Sequence, residues 1–386
     1  MPSALLEFPG LIDCHVHFRE PGLTHKATMA GEALSARRGG VRTVCDMPNT
    51  IPPTVTIEAL RDKIACADAI ADCDIRFFFG VTEYDHLTEL TRAWRDPDLC
   101  RRLAGVKIFF DHSTGNQGAA MDVIRETFKV CAEEGIPLAA HCEDAGVNGE
   151  ARAIIEKSHP GTADVSFHSL LRPCASEAKA VADAVALAQT YGTPLHIAHL
   201  STAEGVGLVR QAKEEGAAVT CETTPHHLFL TVDDYEVLGP FGKMNPPLRT
   251  ADERQALWDA IADGTVDCIA SDHAPHTARE KECGDPLGAP SGVPGTETVL
   301  PLLLTVAAGG WPHPSSPRPN IPLFHYSNIQ TLCFTNPNRI FSLHADAAPR
   351  VTIDPDAAWV IRGKDLHSQC GWTPYEGWAV KGKIVS

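Results

Sequence analysis

Short apolar runs alternate along the chain with longer segments of helical composition. Such runs are typical of parallel strands that are buried on both faces and joined by helical crossovers. The pattern predicts strands at Leu11–Phe18, Val41–Asp46, Asp74–Val81, Val106–Phe110, Pro137–Cys142, Pro194–Leu200, Ala218–Thr224 and Asp267–Asp272. It predicts helices between them at Met29–Arg38, Ile57–Ala69, Met121–Glu134, Ala175–Tyr191, Thr202–Glu215 and Asp252–Ala262. This alternation favours a (β/α)8 TIM barrel, although a doubly wound sheet would give the same order of elements.

The first predicted strand carries polar side chains that a buried strand normally lacks. Side chains of a strand alternate between two faces, which predicts an apolar face of Ile12, Cys14, Val16 and Phe18 and a polar face of Asp13, His15, His17 and Arg19. We expect the apolar face to pack under the helices. Two histidines on one strand face can bind a single metal ion, whereas an exposed edge strand would also tolerate polar residues.

Further candidate ligands lie near the carboxyl ends of four other predicted strands. Lys107 lies within an apolar run, where an ammonium group is costly to bury. A lysine that loses its proton there can react with carbon dioxide, and the resulting carbamate can bridge two metal ions. An ion pair with a buried acid explains Lys107 equally well. His141, His199 and Asp272 end the other three strands.

These polar residues favour the barrel over the doubly wound sheet, because barrel enzymes build their active sites at the carboxyl ends of the strands. The predicted metal ligands are His15, His17, Lys107, His141, His199 and Asp272. Imidazole and carboxylate ligands without thiolates suit zinc, with another divalent metal such as manganese or cobalt as the alternative. These ligands exceed the needs of one tetrahedral zinc, so we expect two ions.

Composition and charge restrict the partners and the compartment. Lys and Arg total 33 against 49 Asp and Glu, and the net charge of −16 argues against nucleic acid or an anionic membrane. We find neither a signal-peptide pattern nor the roughly 18–20 apolar residues that a membrane span needs. The 13 cysteines lack the spacing of a disulfide framework, which predicts free thiols and a cytoplasmic location.

Several sequence blocks resemble the dihydroorotases, a family of the metal-dependent amidohydrolase superfamily. The resemblance runs from about Phe8 to about Ser386. It rests on HVHFREPG from His15, DMPNT from Asp46, the Val106-Lys107 pair, PHHLFL from Pro225, SDHAPH from Ser271 and PGTET from Pro294. It implies the barrel of the metal-dependent hydrolase type and the metal ligands given above, with Lys107 carboxylated and two Zn²⁺ bound.

The same resemblance implies an activity and a substrate site. The activity is the reversible cyclisation of N-carbamoyl-L-aspartate to L-dihydroorotate in de novo pyrimidine biosynthesis, with a metal-bridging hydroxide and Asp272 as general acid and base. Arg19, Asn49 and His276 would hold the substrate carboxylate. Asn245 and the backbone around Pro294 and Gly295 would contact the ring. The expected partners are this small molecule, a second copy of the chain in a homodimer, and other enzymes of the pathway.

In some respects the chain departs from the family pattern. Relatives carry a small β-sandwich built from both chain ends, whereas little sequence precedes the first strand here. We therefore expect one domain over residues 1–386, with a barrel at about 9–345 and a tail, 346–386, left from a reduced or absent sandwich. Animal relatives bind a third metal through the match of Glu222 and a cysteine where this chain has Ala198, so the resemblance leaves a third ion open and we predict only two. Residues 111–118 and 277–292 are candidate lids.

Two alternatives remain open. A hydantoinase or allantoinase would share the metal ligands but open a different cyclic amide. A non-catalytic scaffold of the same superfamily would keep the barrel, although such proteins usually lose metal ligands.

Overall fold

The computed structural model describes residues 4–71, 73–111, 117–345 and 349–385 of the chain. Strands within these residues form two sheets. The strands are β1 (Leu6–Phe8), β2 (Leu11–Val16), β3 (Val41–Asp46), β4 (Asp74–Gly80), β5 (Leu103–Phe109), β6 (Leu138–His141), β7 (Leu195–Ile197), β8 (Val219–Thr223), β9 (Cys268–Ile269), β10 (Val351–Val360) and β11 (Ala379–Ile384). Strands β2 to β9 lie side by side in chain order and are all parallel, so each helical connection joins neighbouring strands.

The parallel sheet curls until its two edges meet beyond β9. Val16 forms a parallel bridge with His273, and the backbone nitrogen of His17 donates to the carbonyl oxygen of His273 at 2.7 Å. The Asp13 side chain accepts a hydrogen bond from the backbone nitrogen of Ser271 at 2.9 Å. The predicted (β/α)8 barrel is therefore confirmed.

Helices cover the outside of the barrel and connect its strands. They are α1 (Met29–Arg38), α2 (Ile57–Asp68), α3 (Tyr84–Arg95), α4 (Pro97–Cys100), α5 (Met121–Glu134), α6 (Ala145–Ser158), α7 (Phe167–Leu171), α8 (Cys174–Tyr191), α9 (Ala203–Glu214), α10 (Pro225–Phe229), α11 (Tyr235–Leu238), α12 (Ala251–Ala262), α13 (Ala278–Lys281), α14 (Val299–Ala307), α15 (Tyr326–Gln330) and α16 (Asn336–Ile340). Short 3₁₀ turns lie at Val232–Asp234, Gly239–Gly242 and Gly363–Asp365, and a π-helical turn lies at Thr331–Thr335. Threonines 28, 56, 202 and 250 accept hydrogen bonds from the first turns of α1, α2, α9 and α12, which fixes where these helices begin.

The predicted alternation of β2 is wrong in its first half. The three-residue step from Asp13 to Val16 in β2 lies opposite the two-residue step from Val44 to Asp46 in β3, so β2 contains one extra residue there. Such a bulge reverses the faces that follow it. Ile12 and Cys14 consequently pack in the cluster inside the barrel, with members such as Cys45, Phe78 and Cys268, whereas Val16 and Phe18 pack in the larger cluster that includes the helices.

The second sheet joins both ends of the described chain. Strand β10 pairs antiparallel with β1 on one side and with β11 on the other. The sheet lies against α14, where the backbone nitrogen of Lys381 donates to the Thr305 hydroxyl at 2.8 Å. The β-structure that flanks the barrel is thus a sheet of three strands within the described residues.

Two further predictions concern the state of the thiols and the length of the apolar helices. All 13 cysteines are free. None of the helices that the structure describes combines the length and the apolar character needed to traverse a lipid bilayer.

Candidate active site

His15, His17 and Asp272 converge at the carboxyl ends of the first and last barrel strands. Oδ1 of Asp272 lies 3.3 Å from Nε2 of His15 and 3.2 Å from Nε2 of His17. All three residues are buried. Two imidazole nitrogens and a carboxylate oxygen that point at one place form a donor set suited to a divalent metal.

His141 and His199 bring a second pair of ring nitrogens to the same place. Nδ1 of His141 lies 2.9 Å from Nε2 of His199, and their ring centroids are 4.7 Å apart. The ring of His199 lies 5.1 Å from that of His15. The structure therefore brings together the four histidines that the sequence predicts as ligands.

Lys107 is buried within β5 beside this cluster. In the described part of the chain, no hydrogen-bond acceptor reaches its Nζ, which lies 5.1 Å from the centroid of the Phe109 ring. Burial lowers the pKa of Lys107 to about 8, against the opposing charges of Glu222 and Asp272. The predicted ion pair with an acid is absent among the described residues, and an amine without a partner fits the carbamate prediction.

The four histidines are poor proton binders but suitable metal ligands. Burial, and then the charge of Lys107, lower the pKa of His15. Burial also holds the pKa values of His17 and His199 well below the ordinary range, and Nδ1 of each lacks a hydrogen-bond partner within the described residues. Neutral imidazoles can ligate a metal, so the residues present fit the predicted metal centre.

Three site residues adopt a left-handed backbone conformation. Arg19 has φ 65°, His199 has φ 35° and Asp272 has φ 46°. This conformation costs a side-chain-bearing residue free energy, so it persists only where the surrounding structure enforces it. All three residues lie just past a barrel strand, where the chain turns and directs their side chains to the rim.

Glu222 supports His15 from β8. Its Oε1 accepts a hydrogen bond from Nδ1 of His15, and its Oε2 contacts Nε2 of His196 at 3.2 Å and Sγ of Cys14 at 3.3 Å. Burial alone would raise the pKa of Glu222, but His15 and His196 hold it well below its usual range. Cys14, His196 and Glu222 also form a second cluster of metal-type donors. Hydrogen bonds within the cluster already satisfy Glu222.

Glu143 supports His141 in the same way. Its Oε2 lies 2.8 Å from Nε2 of His141, and the Arg172 guanidinium donates to both of its carboxylate oxygens at 2.8 and 2.7 Å. Burial opposes ionisation, but the charge of Arg172 and the His141 contact lower the pKa of Glu143 well below its usual range.

Arg19 provides a positive charge at the wall of the cavity that the four histidines and Asp272 line. This cavity is lined by His15, His17, Arg19, Phe109, His141, His199, Asn245, Asp272, Ala274, Ser291 and Gly292. Nε of Arg19 donates to the carbonyl of Pro275 at 3.0 Å, and Nη2 lies 3.1 Å from Nε2 of His276. Burial lowers the pKa of Arg19 only to about 10, so the group stays charged at neutral pH.

His276 lies against Arg19, whereas Asn245 is part of the cavity wall. Nδ1 of His276 lies 3.0 Å from Nζ of Lys26, so its ring is held between a lysine and Arg19. Asn245 lines the cavity directly, and its Oδ1 lies 2.9 Å from Nε2 of His168. Asn245 therefore lines the cavity, whereas His276 adjoins it through its contact with Arg19.

Asn49, Pro294 and Gly295 are not part of the cavity wall. Asn49 is buried in the segment after β3. Pro294 and Gly295 line a separate small cavity, and the Gly295 backbone nitrogen donates to Nδ1 of His273 at 3.0 Å. The backbone that reaches the cavity instead belongs to Ser291 and Gly292.

The structure describes one of the two candidate lids in full. Residues 112–116 of the first lie outside the described residues. The second, 277–292, is tied down by two buried lysines: Lys243 donates to the carbonyls of Leu287 and Ala289, and Lys281 donates to that of Pro290 at 2.9 Å.

Comparison with known proteins identifies the family of this chain. The Amidohydrolase family matches residues 7–303, and the chain belongs to that family. It is 42% identical to a dihydroorotase of Halobacterium salinarum over 96% of this chain and 82% of that protein. It is 34% identical to a multifunctional protein CAD of Squalus acanthias over 98% of this chain but 14% of that protein.

A solved structure of another protein has the same fold. An L-hydantoinase (dihydropyrimidinase) from Arthrobacter aurescens superimposes with a TM-score of 0.89 at 26% identity, covering 99% of this chain and 83% of that one. The chain is therefore a cyclic amidohydrolase, and several of its curated relatives are dihydroorotases.

Proposed function

We propose that the protein is a dihydroorotase that interconverts N-carbamoyl-L-aspartate and L-dihydroorotate. The observation that carries the proposal is the position of Arg19, whose guanidinium lines the same cavity as His15, His17 and Asp272. Dihydroorotate carries a carboxylate on its ring, and an arginine can bind it through two parallel hydrogen bonds. Hydantoin and allantoin lack that carboxylate. The identity to the Halobacterium salinarum dihydroorotase supports the same choice.

Two divalent ions, zinc in our proposal, would be held by His15, His17, His141, His199, Asp272 and a carboxylated Lys107. When bound, they would polarise the ring amide and make a water molecule acidic enough to act at neutral pH. Nitrogen and oxygen donors without a thiolate favour zinc among the common divalent metals.

The residues of the chain would orient the substrate and move a proton. Arg19 would hold the carboxylate, assisted by His276, and Asn245, which lines the same cavity, would contact the ring. The Asp272 carboxylate would accept a proton during ring opening and return it to the leaving nitrogen. Burial raises the pKa of Asp272, which suits a group that must carry a proton for part of the cycle.

The proposal extends to partners. We propose a homodimer and an association with other enzymes of pyrimidine biosynthesis. The second is supported by the match to one part of a much longer multifunctional protein.

Absorbance-monitored hydrolysis of dihydroorotate by the purified protein, with and without added zinc, tests the function. We expect zinc-dependent turnover, with far slower opening of hydantoin and allantoin. An Asp272→Asn variant should lose activity by about 10²- to 10⁴-fold, the usual contribution of a general acid–base. Preferred turnover of hydantoin would instead support the hydantoinase alternative, and no turnover of any cyclic amide would support the scaffold.

A further inference from the structure

Arg172 joins the ends of two barrel strands that each carry a candidate metal ligand. Its Nε and Nη2 donate to the two carboxylate oxygens of Glu143, and Nη2 also donates to Oδ2 of Asp111 at 2.8 Å. Asp111 lies just past β5, the strand of Lys107, and Glu143 lies just past β6, which ends at His141. One guanidinium therefore sets the spacing between these two strand ends.

Glu143 transmits this constraint to His141. The 2.8 Å contact with the carboxylate assigns the ring proton of His141 to Nε2, because an ionised carboxylate can only accept. Nδ1 of the ring then carries the lone pair, and this atom faces Nε2 of His199 at 2.9 Å. The Glu143 contact thus selects the nitrogen that His141 presents to the cluster.

Arg172 is itself held by the surrounding structure. Its carbonyl accepts a hydrogen bond from Nη1 of Arg249 at 2.6 Å, and Nε of Arg249 donates to Ser201 at 3.0 Å. Nδ2 of Asn148 donates to the same oxygen of Asp111 that Arg172 contacts. Only 12% of the Arg172 side chain is exposed. A guanidinium fixed in this way can hold a carboxylate in one orientation, which a flexible lysine cannot do.

We propose that Arg172 and Glu143 are positioning residues of the metal centre. Arg172 fixes the Glu143 carboxylate against Asp111, and Glu143 holds the His141 ring so that Nδ1 faces a divalent ion. This inference rests on the part of the proposed function that assigns a metal to His141. The competing explanation is an ion pair that only braces β5 against β6.

Metal release distinguishes these explanations. The variants are Glu143→Gln, which keeps the volume but loses the charge, Arg172→Gln, and Arg172→Lys, which keeps the charge but loses the fork. The matched control is Arg254→Gln, because Arg254 is also buried but contacts Ser316 and Pro317 away from the site. Each zinc-loaded protein is analysed for zinc per chain, for the rate of zinc transfer to a colorimetric chelator, and for its thermal midpoint.

We expect Glu143→Gln and Arg172→Gln to release one of the two ions about 10- to 100-fold faster than the unaltered protein, the usual effect of losing a residue that orients a ligand. The rate of zinc release from Arg172→Lys should lie between the rates of these two variants and that of the unaltered protein. Arg254→Gln should lower the thermal midpoint without changing the release rate.

Unchanged release rates in Glu143→Gln and Arg172→Gln would overturn the inference, even if both variants were less stable. If Arg172→Gln does not fold, the near-isosteric Glu143→Gln decides alone. An unaltered protein that binds zinc but does not turn over dihydroorotate would contradict the proposed function and leave the release rates to decide this inference. A protein that binds no divalent ion would contradict both.

Discussion

Nδ1 of His15 donates a hydrogen bond to Oε1 of Glu222, a carboxylate with only 1% of its side chain exposed. This contact assigns the ring proton to Nδ1 and leaves Nε2 of His15 to face Asp272, 3.3 Å away. A charged acceptor also makes the ring a stronger ligand. The relationship explains why a carboxylate is kept inside the barrel, where it would be costly without a partner.

Glu222→Gln should therefore weaken metal binding while preserving the fold. The amide can still accept from His15, but it lacks the charge that strengthens the ring as a ligand. We expect about a 10- to 100-fold loss of zinc affinity and a comparable loss of activity at limiting zinc. Competition with a chelator of known affinity measures the first, and dihydroorotate hydrolysis measures the second.

The control for Glu222 is Asp234→Asn. Asp234 also pairs with a buried histidine, His313, at 2.7 Å, but this pair lies outside the candidate site. Loss of the Asp234 charge should leave the zinc affinity of the protein unchanged. Equal zinc affinities of Glu222→Gln and the unaltered protein would show that Glu222 does not tune His15.

The sequence predicts the barrel well because each buried strand is a continuous apolar run and each crossover is a helix-length segment. It does not predict the bulge in β2, because strict alternation is the default and nothing local marks the extra residue between Asp13 and Val16. His15 and His17 still reach the site because both follow the point at which the faces reverse.

The candidate ligands could be predicted because a charged or basic residue in a buried strand needs a reason. The same argument applies to Glu222, which lies between Cys221 and Thr223 in β8, and to Glu143, two residues past His141. Arg172 could not have been found this way. It lies 29 residues after Glu143, in the short connection between α7 and α8, and only the tertiary fold brings the two together.

Lys107 should make metal loading depend on carbon dioxide. Its Nζ has no hydrogen-bond partner among the described residues, and its lowered pKa of about 8 leaves a substantial fraction as the reactive amine near neutral pH. After zinc is removed with a chelator, we expect reloading in carbon dioxide-free buffer to restore little activity and added bicarbonate to restore most of it. Activity and zinc per chain are measured at intervals after mixing.

A Lys107→Arg variant is the control for carboxylation, because a guanidinium keeps the positive charge but stays protonated. Bicarbonate should not restore its activity. Full recovery of the unaltered protein without carbon dioxide would contradict the carbamate.

Arg19→Met should remove the preference for a ring that carries a carboxylate. Charge-assisted hydrogen bonds contribute about 1.5–3 kcal/mol, so kcat/KM for dihydroorotate should fall about 10- to 100-fold. Dihydrouracil, the same ring without the carboxylate, should be hydrolysed no more slowly than by the unaltered protein. An equal loss for both substrates would mean that Arg19 serves the fold and not the carboxylate.

Two buried histidines should make the protein less stable in mild acid. Nε2 of His168 donates to the carbonyl of Met244 at 3.0 Å, and Nε2 of His227 donates to that of Pro246 at 3.1 Å, so both rings hold the segment that carries Asn245. Burial, followed by nearby positive charge, lowers the pKa of each ring from 6.5 to about 3.

Between pH 6.5 and about 3 the unfolded chain therefore binds a proton on each of these rings that the folded chain does not bind. The free energy of unfolding must fall as the pH falls through this window, by up to about 1.4 kcal/mol per pH unit for each ring. Above pH 6.5 both states carry neutral rings, and this contribution to the pH dependence disappears. Urea unfolding of the metal-free protein at several pH values between 7.5 and 4 measures the slope.

His227→Gln should make that slope shallower, whatever stability the variant loses at pH 7.5, because one group that binds protons only in the unfolded chain is gone. His25→Gln is the control: 60% of the His25 side chain is exposed, and the slope should match that of the unaltered protein. An unchanged slope in His227→Gln would mean that the folded protein already accommodates a protonated ring at this position. The segment around Asn245 would then tolerate a charge that the hydrogen bond to Pro246 and the surrounding burial argue against.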